Sequence, residues 1–589
     1  MKGVAAPRPR HASVPDALRA AVGEPGGITF VDLQEREQLA TWREIYERAQ
    51  KVAAGLVALG VQPGDRVALV LATGPAFLDA FFGIALAGAI AVPLSPPLRL
   101  GRLAEFHAAT ASMLTAVGVR LVLTDARIRR LLGVAVAAAA PALGCRVVDE
   151  VALDGAAPID RAPNELGLIQ FSSGSTVDPK PVALTQSNLM AQLATIEQMV
   201  PSRDGSRQLG VSWLPLHHDM GLIGCLLSAI YRPDPLVLIP PELFLARPAL
   251  WLRAISRHRA TVSPAPSFAY SLSTTRIKDS ELQGVDLSSW RFALNGAEPV
   301  SVGVLEQFAT RFAPLGFDAR SLVPVYGLAE ASLAVTFAPR GRPPRSLAVD
   351  PQRLASSGDV IDHAGDGGRR IASVGAPVPG VEVELRDDDG APVGEGRLGD
   401  IWVRGPSVMR EYFGAPAATA RALQAGWLAT GDRGFVADGE LYVCGRAKDV
   451  VIIRGANHAP QEFEECLDGL PGVRHGCAVA LGFQPDGGEA QLLVLAEHGG
   501  DTVLPAGALE DRVRDAILAR TGVRAHSVRI LAPGTLPRTS SGKLRRAEAL
   551  RQFTAGELVA PRPVSPSRIA VAIARSTLAF VGLRFRRAG

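Results

Sequence analysis

The chain has 589 residues, 47% apolar and 20% charged, with a formal net charge of +4. This is a globular composition, and the length exceeds what one hydrophobic core supports, so two or more domains are expected. Basic residues are scattered, with no Lys/Arg-rich block of the kind that tracks phosphate backbones, which argues against a nucleic-acid partner.

The N-terminal segment MKGVAAPRPRHASVPDALRAA lacks an apolar run of signal-peptide length. Helical periodicity runs over residues 42–59 and ends at Gly60, and a turn over 61–65 leads into a strand at 66–71. A helix over 77–87 and a strand over 89–94 follow, closed by Ser95, Pro96 and Pro97. Strand–helix alternation of this kind predicts a parallel sheet with crossover helices. Similar short strands are predicted at 209–214, 235–239, 261–263 and 292–294. The apolar stretches 78–94 and 569–585 are interrupted by Asp79 and Arg575 and fall short of a clean ~18-residue span.

Chemistry-bearing motifs punctuate these elements. A strand at 168–171 runs into Ser172, Ser173, Gly174, Ser175 and Thr176 and then Lys180. Backbone amides and hydroxyls in such a turn cradle phosphate, although the GxxxxGK[ST] pattern is absent and a Ser/Thr-rich surface turn reads the same. Tyr326, Gly327 and Glu330 end a later strand: an aromatic to stack on a base, a glycine for close approach, and a carboxylate suited to Mg²⁺ beside phosphates. An ordinary strand–turn–helix junction is the alternative. Thr430-Gly431-Asp432 offers a carboxylate for ribose hydroxyls, or a plain turn.

Residues 338–374 are rich in Pro, Gly and charge and read as loop or loosely packed surface. Residues 380–404 alternate in the β pattern. Gly445-Arg446-Ala447-Lys448-Asp449 is a charged turn that suits a linker, and a smaller α+β pattern follows with a helix over 509–520. Pro537-Arg538-Thr539-Ser540-Ser541-Gly542-Lys543 reads as an exposed, mobile loop with a lysine at its tip, placed to stabilise charge on a transferring phosphate. Beyond Arg546 no catalytic pattern appears.

Two residue counts add to this. Cys145, Cys225, Cys444, Cys466 and Cys477 form no CxxC pair and no zinc spacing, which fits a reduced, cytoplasmic protein. Lysine occurs only at 2, 51, 180, 278, 448 and 543, in a chain that otherwise uses arginine. Lysine is a compact point charge, and three of these six sit in the motifs above.

Taken in order, the Ser/Gly loop, HisHisAspMetGly (217–221), AsnGlyAlaGluPro (295–299), TyrGlyLeuAlaGlu (326–330), ThrGlyAsp, GlyArgAlaLysAsp and ProArgThrSerSerGlyLys resemble the acyl-adenylate-forming superfamily across roughly residues 30–550. Within it the chain looks most like the fatty acyl-AMP ligases, on residues 213–224, 266–270 and 454–464 and on the long spacing from Tyr326 to Gly375. The resemblance implies an α/β fold: a large N-terminal adenylating domain over 1–446, of mixed sheets with crossover helices plus a β-barrel-like subdomain, with an insertion at about 338–374. A small, mobile α+β domain over 447–550 and a tail over 551–589 follow.

By the same resemblance, the substrates are ATP and a fatty acid, with Mg²⁺ placed by Thr176 and Glu330. Ser172 to Lys180 embrace the β,γ-phosphates. Tyr326 and Gly296-Ala297-Glu298 sandwich adenine, Asp432 and Arg446 hold the ribose, and His218 lines the acyl entrance. Lys448 is the hinge, and Lys543 bridges the acyl carboxylate and the α-phosphate. The implied second step moves the acyl group to the phosphopantetheine thiol of an acyl carrier protein acting in trans, because the segment after Lys543 is too short for a fused carrier. The acyl pocket is expected along 214–230 and 263–272.

The chain departs from the family pattern at Val177 and Pro181, where glycines are usual, and at Gln186, where histidine is common. Valine disfavours positive φ and Pro181 extends Lys180, so a stiffer phosphate loop is expected. The runner-up activity is a fatty acyl-CoA synthetase. An amino-acid adenylation domain fits less well, because HisHisAspMetGly replaces its aspartate-bearing pocket motif. A degenerate, non-catalytic acyl- or nucleotide-binding homologue is opposed by intact Glu330, Asp432 and Lys543. Arginines interleaved with Ile569, Ile573, Phe580 and Leu583 in the tail suit a carrier surface, an anionic membrane surface or a packed tail.

Overall fold

The computed structural model describes residues 1–97, 100–154, 165–172, 179–202, 206–363, 368–453, 456–484, 491–500, 506–539, 542–561 and 565–588, and the backbone alone at 506 and 584–588. Its first layer is a seven-stranded sheet ordered Glu411–Tyr412, Pro181–Thr185, Leu166–Phe171, Ile90–Leu94, Arg66–Val70, Leu121–Thr124, Gly144–Val147. The strands from Arg66–Val70 outward pair in parallel, and Leu166–Phe171 joins them in parallel at Ala91–Leu168. The crossover helices follow from their sequence. Trp42–Ala58 starts on a capping box in which Thr41 and Glu44 satisfy each other's backbone amides. Pro75–Leu86 is apolar almost all round and is buried accordingly.

A four-stranded sheet, Glu37–Thr41, Gly27–Val31, Leu236–Leu238 and Gly210–Ser212, lies beside it. A ten-stranded sheet then runs from Ala293–Asn295 through Leu322–Gly327, Ala334–Phe337, Arg369–Pro377, Glu440–Arg446, Trp427–Ala437 and Gly399–Arg404 to Glu382–Arg386, with Ser346–Val349 and Leu423–Gln424 pairing off this path. Its antiparallel part is the region expected to be barrel-like; among the described residues its path is open. The strand expected at 261–263 is a single bridged position, where Val262 links Gly210 to Phe292. One continuous apolar core runs between these sheets, anchored by Trp42, Trp251, Trp290, Tyr270 and Phe308, all essentially buried.

From Val451 onward the chain builds separate cores around the strands Val473–Phe483, Gln491–His498 and Ser527–Leu531 and the helix Ala506–Thr521. One expectation needs correction. The described residues of 338–374 are not loop throughout: Ser346–Val349 pairs with Arg369–Pro377, and Pro351–Ser357 is a helix capped by Asp350. Their Val349, Leu354 and Ile371 pack on Phe435, Tyr442 and Cys444. Of the readings given for the tail, packing is what the described residues 565–588 show. Helix Pro566–Ala588 lies against helix Ala126–Ala139, with the buried Ser576 hydroxyl accepting the Gly133 amide at 2.7 Å. Its window Pro566–Leu583 is long and apolar enough, by length and composition, to cross a membrane.

Candidate active site

A cavity of about 370 Å³ opens where the ends of several strands meet the Lys543 loop. Phe171 and Ser172 come from the end of Leu166–Phe171, Lys180 from the start of the next strand, and Tyr326 and Gly327 from the end of Leu322–Gly327. Thr430, Gly431 and Arg446 come from the antiparallel pair Trp427–Ala437 and Glu440–Arg446, where Asp432 faces Arg446 in register. Gly327 is dictated by packing: a Cβ there would stand 1.7 Å from the Leu333 carbonyl oxygen. Ala297 takes a left-handed φ of 70° on the cavity wall, an arrangement that costs a non-glycine residue energy and that clusters at functional sites.

Hydrogen bonds fix the polar wall. Tyr326 donates its hydroxyl to Asp432 Oδ2 at 2.7 Å, and Arg446 Nε lies 3.0 Å from Asp432 Oδ1. Burial and the adjoining Asp432 carboxylate push the Tyr326 hydroxyl well above its usual range, so it remains a donor. Across the cavity, Tyr412 donates to Glu330 Oε1 at 2.9 Å while the Lys180 ammonium sits 4.7 Å from the Tyr412 ring centroid. Lys180 and Ser172 exchange backbone and hydroxyl hydrogen bonds at 2.9 and 3.3 Å, which closes the base of the phosphate-loop turn.

Lys543 lines the same cavity. Its loop is closed by Thr539 donating its amide to the Lys543 carbonyl at 2.8 Å and by the Lys543 amide donating to Thr539 Oγ1 at 3.1 Å. The expected exposed tip is therefore half-buried. Burial and the Arg446 charge hold the Lys543 ammonium below the usual lysine range, against the pull of Asp219, Glu298 and Asp432. His218 Nδ1 lies 3.2 Å from Asp219 Oδ1. Burial pushes Asp219 up, but His218 and Lys543 outweigh it and leave the carboxyl below its usual value. Neighbouring His217 is pushed down to about 3 by burial and by His218, so it is neutral at physiological pH.

Of the residues singled out from sequence, Ser172, Lys180, His218, Ala297, Tyr326, Gly327, Glu330, Arg446, Lys448 and Lys543 line this one cavity. Ser173, Gly174, Ser175 and Thr176, with Val177, lie outside the described residues. Gly296, Glu298 and Asp432 are not on the cavity wall, although Asp432 is bonded to Tyr326 and Arg446, which are. Glu298 instead accepts the Phe268 amide at 2.7 Å, at the start of helix Ser267–Arg276. Gln186 is buried and accepts the Val14 amide at 3.0 Å, a packing role. Sequence reasoning missed Tyr412 and gave no role to Asp219. Asp219 was inside a quoted motif; Tyr412 has no motif and reaches Glu330 through the pairing of Glu411–Tyr412 with Pro181–Thr185.

Among the described residues no group of three or more His, Cys, Asp or Glu is arranged to hold a metal by itself. Glu330 supplies one carboxylate at the cavity, which fits Mg²⁺, an ion held by one or two carboxylates together with substrate phosphates.

The AMP-binding enzyme family model matches residues 18–413. A putative acyl-CoA synthetase of Caulobacter vibrioides is 35% identical over 547 residues, covering 91% of this chain and 94% of its own. A medium-chain-fatty-acid–[acyl-carrier-protein] ligase, TtuA, of Teredinibacter turnerae is 34% identical over 426 residues, covering 69% of this chain and 66% of its own. A solved structure from a study of fatty acyl-adenylate ligases of E. coli and L. pneumophila superposes with a TM-score of 0.86 at 33% identity, covering 93% of this chain and 99% of that one.

Proposed function

The chain belongs to the AMP-binding enzyme family, among its fatty acyl-AMP ligases, and from that premise we propose that it joins a fatty acid to ATP as acyl-AMP and then passes the acyl group to the thiol of an acyl carrier protein. The observation that carries this reading is a lysine, Lys543, lining a cavity that also holds Arg446, Lys180 and Glu330 and runs into an apolar end. A carboxylate and a triphosphate are both anions, so bringing them together requires oriented cations more than it requires a protein nucleophile. The carboxylate oxygen bonds to the α-phosphorus as the bond to pyrophosphate breaks.

The proposed roles are those the family resemblance implies, supported by the residues that line the cavity. Lys543 faces the carboxylate and α-phosphate; Lys180 and Ser172 face the departing phosphates. Tyr326 and Ala297 face the adenine, and Asp432, already held by Tyr326 and Arg446, accepts ribose hydroxyls. His218, fixed against Asp219, borders the carboxylate. Glu330 would hold Mg²⁺, which neutralises phosphate charge when bound. The proposed domains are 1–446, 447–550 and 551–589, with Lys448 as hinge: it lies in the turn Ala447–Asp449, and Asp449 is tied to Arg546 at 3.6 Å. A cytoplasmic location is proposed with it.

Transfer to a carrier is favoured over coenzyme A by TtuA, a ligase of an acyl carrier protein, while the Caulobacter relative carries the name of the runner-up. Incubation with ATP, Mg²⁺ and a panel of fatty acids, with carrier protein or coenzyme A as acceptor, separates the two. Acyl-AMP and acyl-carrier with little acyl-CoA is expected. Efficient acyl-CoA synthesis would favour the runner-up, and no acyl-AMP with any acid would defeat the enzyme reading.

A further inference from the structure

The loop that carries Lys543 is held at its root by two charged side chains that do not line the cavity, Glu497 and Arg102. Above that root the Arg545 amide donates to the Pro537 carbonyl at 2.9 Å, and Arg538 pairs with Leu544 in an antiparallel bridge. The Thr539–Lys543 bonds complete a short stem. Lys543 is therefore placed no more firmly than Thr535 and Leu536, from which the stem springs. On one side, the Leu536 amide donates to Glu497 Oε1 at 2.9 Å. Glu497 belongs to strand Gln491–His498, is completely buried, and meets Arg474 Nη1 at 3.0 Å with its other oxygen. A carboxylate is almost never fully buried unless paired, and here the partners are an arginine and the root of the loop. On the other side, Arg102 comes from the N-terminal part of the chain, in the turn Leu100–Arg102, and its Nη2 donates to the Thr535 carbonyl at 2.9 Å. Its side chain is 12% exposed and is braced by Glu105 at 3.0 Å.

Resting on the adenylation reading above, we propose that Glu497 and Arg102 are positioning residues for the first step, which fix the root of the Lys543 loop so that its ammonium stays in the cavity. The two act differently. The Glu497–Leu536 bond lies wholly within the residues after Lys448, so it travels with the loop in any swing about that hinge. The Arg102–Thr535 bond joins the two sides of the hinge, so any swing breaks it and its presence favours the arrangement in which Lys543 lines the cavity. Precision at the root matters because a misplacement of ~1 Å at a reacting centre costs up to ~10²-fold in rate.

The test reads the two half-reactions separately: acid-dependent pyrophosphate exchange, and acyl transfer to carrier protein from chemically prepared acyl-AMP. Glu497→Leu leaves the buried Leu536 amide without its acceptor and should slow exchange at least about tenfold. It should also move the alkaline limb of kcat/KM to higher pH, because a loosened Lys543 leaves the buried place beside Arg446 that holds its pKa down. A smaller folded fraction lowers the rate without moving that limb. Glu497→Gln keeps an acceptor for the amide and should restore most of the rate and the original limb. Arg102→Met lies outside the loop and does not depend on Glu497→Leu folding. It should slow exchange roughly tenfold, as for one charged hydrogen bond, while transfer from acyl-AMP holds or rises. Unchanged exchange, a fall with an unmoved limb in Glu497→Leu, or an equal fall in both half-reactions overturns the positioning role while leaving adenylation standing. A wild type that shows no exchange with any fatty acid overturns the activity itself, and this inference with it.

Discussion

At the scale of single residues, the site's behaviour turns on the protonation of Lys543. Burial and Arg446 lower its pKa in the free protein, whereas bound triphosphate and carboxylate favour the charged form. In the proposed mechanism activity needs the cation, so activity is present below that pKa and is lost as pH rises through it. The alkaline limb of kcat/KM, which reports the free protein, should therefore fall at a lower pH than the limb of kcat. Lys543→Arg, permanently charged, should lose most of its rate by misplacing the cation and should lose the early alkaline limb as well; an unmoved limb would assign the titration to another group. Tyr412 donates to one oxygen of Glu330, which aims that carboxylate. Glu330→Gln should raise the Mg²⁺ concentration needed for half-maximal adenylation, and Tyr412→Phe should do so by a smaller factor, because one neutral hydrogen bond is worth about 1 kcal/mol. Unchanged Mg²⁺ dependence in Glu330→Gln would make the glutamate a structural residue.

At the scale of elements, the segment 338–374 matters most. Its apolar residues Leu347, Val349 and Leu354 pack on Phe435 and Tyr442 of the large sheet, and Ile361 is 44% exposed. What touches the residues after Lys448 is polar and helical. Helix Pro351–Ser357 lies against Ala456–His458, and Arg369, with 8% of its side chain exposed, pairs with Glu465 at 3.5 Å. Deleting the segment would uncover Phe435 and Tyr442, so a point variant is the cleaner probe. In Arg369→Ala the arrangement seen here loses one of its ties, and a shift of ~1.4 kcal/mol changes the balance of arrangements tenfold. Adenylation should persist while acyl transfer to coenzyme A rises; a fall in adenylation with no gain in transfer would assign the pair to folding alone. The strand Ser346–Val349 was illegible because its stability comes from pairing with Arg369–Pro377, across a Pro/Gly-rich composition that locally signals loop. The helices with clear periodicity and caps, such as Trp42–Ala58, were legible to within a residue or two.

At the scale of the whole molecule, the chain folds back on itself: after the small domain, helix Pro566–Ala588 returns to pack on Ala126–Ala139. The contact is close, since a Cβ on Gly133 would stand 2.0 Å from the Ser576 carbonyl oxygen, and it joins Leu583 and Phe580 to the core of Leu132 and Val136. Truncation after Ala560 should lower Tm by at least about 2 °C, because apolar burial of ~1.5–3 kcal/mol per side chain is lost, and should leave adenylation intact. An unchanged Tm would mean the helix does not dock in solution. The motif order made the site legible because phosphate, ribose and carboxylate chemistry each demand particular residue types. The burial of Lys543 was not legible, because it depends on how residues after 448 lie over the large sheets and not on the polar composition of its own loop. The central claim is that this lysine drives the first chemical step, and exchange of labelled pyrophosphate into ATP tests it most directly. Wild-type protein should show exchange that depends on added fatty acid, and Lys543→Ala should lose it by about 10²–10³-fold with its fold and Tm retained, as for removal of one oriented charge at a developing anion. Exchange by Lys543→Ala at near the wild-type rate would contradict the account.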